Sequence, residues 1–257
     1  MKNQLIILGS GSSVGTPRID GFWGKCNKSI KKNIRTRCSA ILLKGSNSVL
    51  IDTSPDIKKQ FLDNKIKKIS SVVFTHEHAD QTNGLFELRP FYWTTGKKIN
   101  IYATKNTLNH LKKSNRYLFK KVANYPPIIN ASLVKSRFSL GEKKNKVNFQ
   151  AIEVKHGKVI SIAYIFDKIA YVSDCNDLSI GENIKFKNLN CIVLDCLKLN
   201  NHPNHFNLNE CLYLYKKLKP KKMILTNLHY DLDYKKLLKI LPKNVLPAYD
   251  GMKIDLK

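Results

Sequence analysis

Short apolar runs that end on glycine or on a polar cluster recur along this chain, and they predict buried strands that open into loops. Leu5 to Leu8 stops at Gly9-Ser10-Gly11-Ser12-Ser13, a strand running into a glycine-rich loop. Ala40 to Leu43 and Val49 to Ile51 flank the polar turn Gly45-Ser46-Asn47-Ser48, which reads as a hairpin. Val72 to Phe74, Ile99 to Ala103, Val147 to Val154, Ile160 to Phe166, Ile169 to Val172, Cys191 to Leu194 and Met223 to Leu225 read as further strands. Helical spacing starts at Pro55, with Ile57, Phe61 and Ile66 on one apolar side, and returns over Asn106 to Asn115, in the segment ending at Leu218, and over Tyr234 to Ile240. Asn207 followed by Glu210 has the spacing of a capping box at the start of the helix that runs to Leu218. Strands with and without helices between them predict an α/β protein, two mixed sheets flanked by helices in a four-layer sandwich, rather than one parallel sheet. No repeat, low-complexity block or linker divides the chain, so residues 1–257 are expected to form a single domain.

Composition narrows the class. Hydrophobic residues at 42% and charged residues at 25% supply a core and exclude a disordered chain. No stretch approaches the roughly 18 uncharged apolar residues of a membrane span. The opening Met-Lys-Asn-Gln-Leu-Ile-Ile-Leu-Gly reaches glycine before a signal-peptide core forms, so a cytoplasmic protein without membrane contact is expected. Lys+Arg 45 against Asp+Glu 19 gives a net charge of +26, a field that attracts phosphate-bearing partners, RNA among them. The lysines are scattered among many Asn and Ile, however, as A/T-rich codon usage produces with no ligand selected. Cys26, Cys38, Cys175, Cys191, Cys196 and Cys211 contain no CxxC pair and read as reduced thiols, neither a disulfide framework nor a zinc finger.

The chemistry gathers at strand ends. Six of the seven histidines, His76, His78, His156, His202, His205 and His229, fall at or just after predicted strands, where open α/β sheets collect their sites; His110 lies inside a predicted helix. His76-x-His78-x-Asp80 directly follows Ser71-Val-Val-Phe74, and two neutral imidazoles and a carboxylate on one tight loop present nitrogen and oxygen donors to a borderline metal such as Zn²⁺. Asp174 ends a strand and has two oxygens with which to serve two ions; the alternative is an ordinary cap on the turn toward Asn176 and Asp177. His156 and His229 each follow a strand, and taken singly each reads more readily as a packed or surface histidine than as a ligand.

Taken together and in order, Asp52, His76-x-His78-x-Asp80, His156, Asp174 and His229 resemble the metallo-β-lactamase superfamily over essentially the whole chain. More narrowly, Ile6 to Pro17, Arg35-Thr-Arg-Cys-Ser39, Leu50-Ile-Asp-Thr-Ser-Pro-Asp56, Leu85 to Pro90 and Ala248-Tyr-Asp-Gly-Met252 resemble the PhnP-type phosphodiesterase branch, with RNase Z a more distant relative. The resemblance implies a four-layer αβ/βα fold with a metal site at the sheet edge, holding one or two ions of Zn²⁺ or Mn²⁺. It implies that His76, His78 and His156 hold the first ion, that Asp80 and His229 hold the second, and that Asp174 bridges them, with Asp52 orienting the histidine loop from behind. Gln81 stands where the family's HxHxDH motif has its last histidine, and a neutral amide oxygen replaces imidazole poorly on zinc, which weakens the expected second site. Asn227 follows Thr226 where the family often has histidine. Some PhnP-type enzymes carry a structural zinc on a cysteine-rich loop near the start; only Cys26 is present there, so no structural cysteine zinc is expected.

The implied function is a metal-dependent hydrolase, a phosphodiesterase acting on a small or cyclic phosphodiester or a nucleotide. Asp80 would orient the attacking water, and His205, with His202 as understudy, would protonate the leaving alkoxide. The bland reading of His205 is a helix-entry histidine. Two other functions stay open: a carboxylic ester, lactone or thioester hydrolase of the same fold, and a non-catalytic RNA-binding protein with a degenerate second metal site. A homodimer is an open partner.

Overall fold

The computed structural model describes residues 3–179 and 183–256, and no helix among them is long and apolar enough to cross a membrane. Their strands form two seven-stranded mixed sheets. The first contains β1 (Gln4–Gly9), β2 (Ser39–Lys44), β3 (Asn47–Ile51), β4 (Ser71–Val73), β5 (Ile99–Ala103), β6 (Ile129–Leu133) and β14 (Met252–Asp255), in the order β14-β1-β2-β3-β4-β5-β6. The second contains β7 (Arg137–Leu140), β8 (Val147–His156), β9 (Val159–Phe166), β10 (Ile169–Val172), β11 (Cys191–Asp195), β12 (Lys222–Thr226) and β13 (Val245–Pro247), in reverse chain order. Antiparallel pairing joins β14, β1, β2 and β3, then β3 to β6 run parallel; β7 to β10 are antiparallel and β10 to β13 parallel.

Period-two burial explains why the apolar runs are continuous rather than alternating. Leu5 and Ile7 face the second sheet, in a core shared with Phe149, Tyr164, Tyr171 and Val193. Ile6 and Leu8 face outward and are covered by α1 (Ile57–Asp63), α3 (Arg89–Thr95), α4 (Lys105–Ser114) and α5 (Arg116–Phe119), through Phe61, Phe91, Leu111 and Leu118. The outer face of the second sheet is closed by α6 (Leu208–Leu218) and α7 (Tyr234–Ile240), with Leu214, Leu218 and Leu237 packed on Ile192 and Leu225. A strand covered on both faces needs apolar residues at every position, and the four-layer αβ/βα sandwich is the arrangement that supplies both covers.

Most elements lie where the pattern predicts them. The Asn207 capping box is present in full: its side chain accepts from Glu210 N–H and the Glu210 carboxylate accepts from Asn207 N–H. Two expectations shift. Asp56 rather than Pro55 precedes the first turn of α1, and Ile66 lies beyond its end, packed against the same core from the loop. β6 and β7 are absent from the sequence pattern because they are edge strands, buried at few positions. β13 and the four-residue helices α2 (Ala79–Thr82) and α5 are too short to show a period.

The loop after β1 ties the sheets together at the edge that carries the histidines. Gly11 bridges Arg37 on one side and Leu228 on the other. The buried Asp250 carboxylate anchors that loop by accepting from the N–H and hydroxyl groups of both Ser10 and Thr36, at 2.6–2.9 Å.

Candidate metal centre

Four strand ends bring the histidines together. His76 and His78 follow β4, His156 is the last residue of β8, and their rings pack edge to face with centroids 4.5–5.1 Å apart. The orientation of each ring is set from behind. Thr75 N–H donates to Asp52 Oδ1 (2.7 Å) and the Thr75 hydroxyl donates to Asp52 Oδ2 (2.9 Å). That hydroxyl has only one hydrogen, so His76 Nδ1, 3.0 Å away, must be the donor to its oxygen, leaving a lone pair on Nε2. His76 Nε2 is buried and has no hydrogen-bond partner among the described residues. His156 Nδ1 donates to the Asn204 carbonyl (2.8 Å), which leaves its Nε2 lone pair 3.3 Å from His78 Nδ1.

These observations fit a metal ion. Zn–N bonds of about 2.0–2.1 Å set the edge of a coordination tetrahedron at about 3.3–3.4 Å, the separation of the His156 and His78 nitrogens. Burial holds the His76 imidazole well below its ordinary pKa and lowers His156 to about 4, so both are neutral, the form that ligates. The ligand atoms of His76, His78 and His156 all lie within 4.8 Å of one another, and so do those of His156, Asp174 and His205.

Around the second cluster the hydrogen bonds come from amides. Gln81 Nε2 donates to Asp174 Oδ2 (3.0 Å) and to Asp80 Oδ2 (3.2 Å). Asn227 Nδ2 donates to Asp174 Oδ1 (3.3 Å) and to Asp195 Oδ1 (2.8 Å). The carbonyl oxygens of both amides are buried without a partner among the described residues. Burial and the Asp80 charge push the Asp174 carboxyl well above its usual range, a shift that a dication beside it reverses. Asp52, Asp174 and Asn227 all adopt left-handed backbone (φ 61°, 48° and 61°) at strand ends, a conformation that Asp and Asn tolerate better than most residues.

His205 joins this group rather than only opening a helix. Its Nδ1 lies 2.9 Å from Asp195 Oδ2 and 4.0 Å from Asp174 Oδ1. Burial opposes its protonation, but the Asp195 charge and hydrogen bond, backed by Asp174 and Asp80, override it and raise the imidazolium to about 9. His229 follows β12, with Nδ1 3.0 Å from Asp231 Oδ2 and its ring 3.6 Å from that of Tyr230. His202 stacks obliquely on His205 at 5.1 Å. His78, Asp80, His156, Asp174, His202, His205 and His229 line one cavity of about 420 Å³, while His76 and Asp52 lie buried behind it. Asp80 and His229 thus share the cavity without belonging to either tight cluster.

The Beta-lactamase superfamily domain matches residues 47–230, a span that includes every strand end described except that of β1. This chain belongs to the metallo-β-lactamase superfamily. Within the superfamily it is similar to a crystal structure of a diphosphatase from the PhnP family, with 31% identity and a TM-score of 0.89 over 99% of this chain and 97% of that one, which confirms the PhnP branch. The short form of human tRNase Z shares the fold more distantly, at 15% identity and a TM-score of 0.70 over 99% of both chains. An octanoyltransferase of Porphyromonas gingivalis is 26% identical over 252 residues, 97% of this chain; the chain spans about half, 51%, of that relative's length. The protein is thus a metallo-β-lactamase-fold hydrolase with two His/Asp clusters suited to metal.

Three residues of this metallo-β-lactamase site escape the sequence reading. Asp195 sits at the end of β11 as Asp52 and Asp174 sit beyond β3 and β10, and that repeated strand-end aspartate is the signal that could have found it. Thr75 and Asn204 carry no signal, since they act through a hydroxyl and a backbone carbonyl. Cys26 is buried, with its sulfur 3.8 Å from Arg35 Nη1. Thr75→Val removes the hydroxyl between Asp52 and His76, and it is expected to weaken Zn²⁺ binding by about 10- to 100-fold while the protein stays folded. Competition against a chromophoric chelator measures this, and an unchanged affinity would remove Thr75 from the support of the site.

Proposed function

We propose that this protein is a metal-dependent phosphodiesterase acting on a small or cyclic phosphodiester or a nucleotide. The observation that carries the reading is the buried three-histidine cluster with its unpartnered His76 Nε2, set in one cavity with Asp174 and an aspartate-held His205. The likeness to a PhnP-family diphosphatase supports phosphorus rather than carbonyl chemistry.

His76, His78 and His156 would hold the first ion, with Asp174 beside it. A divalent metal there supplies an activated water and charge for the phosphoryl oxygens. Asp80, half-buried at the first turn of α2, orients the attacking water by accepting its hydrogen bond. As water adds to phosphorus, the bond from phosphorus to the leaving oxygen breaks, and that oxygen needs a proton. His205 is placed to give it, because Asp195 holds its ring through Nδ1 and stabilises the protonated form. Asp52 positions the His76 loop through Thr75 and touches nothing in the cavity.

Gln81 and His229 govern a second ion. The Gln81 amide donates to both Asp80 and Asp174, offsetting in part the repulsion that a second cation would relieve. One ion is held tightly and a second, on Asp80, Asp174 and His229, weakly, with oxygen-tolerant Mn²⁺ favoured there.

Zinc- or manganese-loaded protein is expected to hydrolyse bis(p-nitrophenyl) phosphate or a cyclic nucleotide and to lose that activity on chelation, regaining it with metal. Full turnover in a metal-free preparation, or turnover confined to lactones and thioesters, would overturn the reading. His205→Ala should slow diesters with alkoxide leaving groups by about 10²- to 10⁴-fold and aryl esters far less, since general-acid help matters when the leaving oxygen is basic; equal losses on both would dismiss it as the acid. Gln81→His should move the metal content of dialysed protein from near one ion per chain toward two. Mass spectrometry reads this, and two tight zincs in wild type, unchanged by the substitution, would show Gln81 to be silent.

A further inference from the structure

The rim of the cavity beside His229 is positive where its floor is negative. Lys198 is half-buried on that rim, and its ammonium has no hydrogen-bond or ion-pair partner among the described residues. The charges of Lys198 and Arg18 both act on His229, which places them at the same end of the cavity. Arg18 is already committed, since Nε and Nη2 bind Asp20 and its guanidinium lies 5.1 and 5.6 Å from the ring centroids of Phe22 and Tyr230. Lys198 is the uncommitted cation here.

The backbone fixes what faces Lys198. His229 N–H donates to the Leu197 carbonyl (2.9 Å), while on the other side Ser12 N–H donates to the Leu228 carbonyl (3.3 Å) and Leu228 N–H to the Ser10 carbonyl (2.9 Å). Lys198 and Ser12 therefore flank the Leu228-His229 segment. Ser12 is only 3% exposed, lines the same cavity, and its Oγ has no partner among the described residues. An ammonium and a buried hydroxyl, both lacking an acceptor, are the complement of an oxyanion.

We propose that Ser12 and Lys198 form an anion subsite beside the metal centre, one that holds the non-reacting phosphoryl group of a diphosphate substrate. The proposal rests on the phosphodiesterase reading for the position of the reacting phosphorus. A simple monophosphate diester bound over the histidines leaves Lys198 and Ser12 without an acceptor. A diphosphate carries a second group with several acceptor oxygens one bridging oxygen away, enough to satisfy both. A site built around a polar group rejects the analogue that lacks it, so Lys198 and Ser12 would set specificity for diphosphates over simple diesters.

The test uses probes that are not hydrolysed, so it is readable whether or not the protein turns over any diester. Metal-loaded wild type, Lys198→Met, Lys198→Arg and Ser12→Ala are titrated calorimetrically with methylenediphosphonate and methylphosphonate, with bound metal checked after each titration. Wild type should prefer the diphosphonate by about ten-fold or more. Lys198→Met should lose most of that preference through weaker diphosphonate binding, Ser12→Ala part of it, and Lys198→Arg little. Equal wild-type affinity for the two probes, binding of neither, or a preference that survives Lys198→Met would overturn the subsite. Loss of methylphosphonate binding in Lys198→Met to the same degree would also overturn it, since the lysine would then serve the reacting group.

Discussion

A buried carboxylate gripping one residue organises this site. Asp52, at the end of a strand in the middle of the first sheet, takes both the N–H and the hydroxyl of Thr75, and so fixes the point where β4 gives way to the histidine loop. The same two hydrogen bonds force His76 to donate from Nδ1, which leaves its other nitrogen free toward the cluster. Burial pushes the Asp52 carboxyl up to about 8 against the pull of those hydrogen bonds, so the grip is made at a cost in desolvation. The loop is tied down a second time where Thr53 N–H donates to the Gln81 carbonyl (2.7 Å), so the position of the histidines follows from the β3 end rather than from the loop itself.

The second sheet meets this frame with charge rather than with rigid geometry alone. Asp174 and Asp195 end neighbouring parallel strands, and with Asp80 they put three carboxylates around one space. Amide N–H groups from Gln81 and Asn227 and the imidazole of His205 partition that charge. The amide carbonyls are left buried and unpartnered among the described residues, an arrangement that costs stability and is retained most readily where ligand binding repays it. A net charge of +26 spread over the chain therefore says little about the site, where acidic groups form the floor and cations only the rim.

Local patterns explain how much of the fold and the site is legible in the sequence. The continuous apolar runs at 5–8, 191–194 and 223–225 show strands buried on both faces, because such strands leave no polar alternation. His76-x-His78-x-Asp80 is equally legible, since three donors on one short loop are neighbours whatever the rest of the chain does. Edge strands such as β6 and β7 hide, because few of their residues are buried and their pairing comes from the neighbouring strand.

The sequence by itself thus determines the four-layer class, the order of the elements and the character of the histidine loop, all of which depend on contacts close in the chain or on simple burial. Only tertiary structure decides that His205 pairs with Asp195, that Gln81 spans Asp80 and Asp174, and that Ser12 and Lys198 share a rim. Those contacts join residues 10, 93 and more than 180 positions apart. Ordinary serines, glutamines and lysines acquire a role only when the sheet edges converge, because their hydrogen-bonding capacity has no direction until the backbone supplies one.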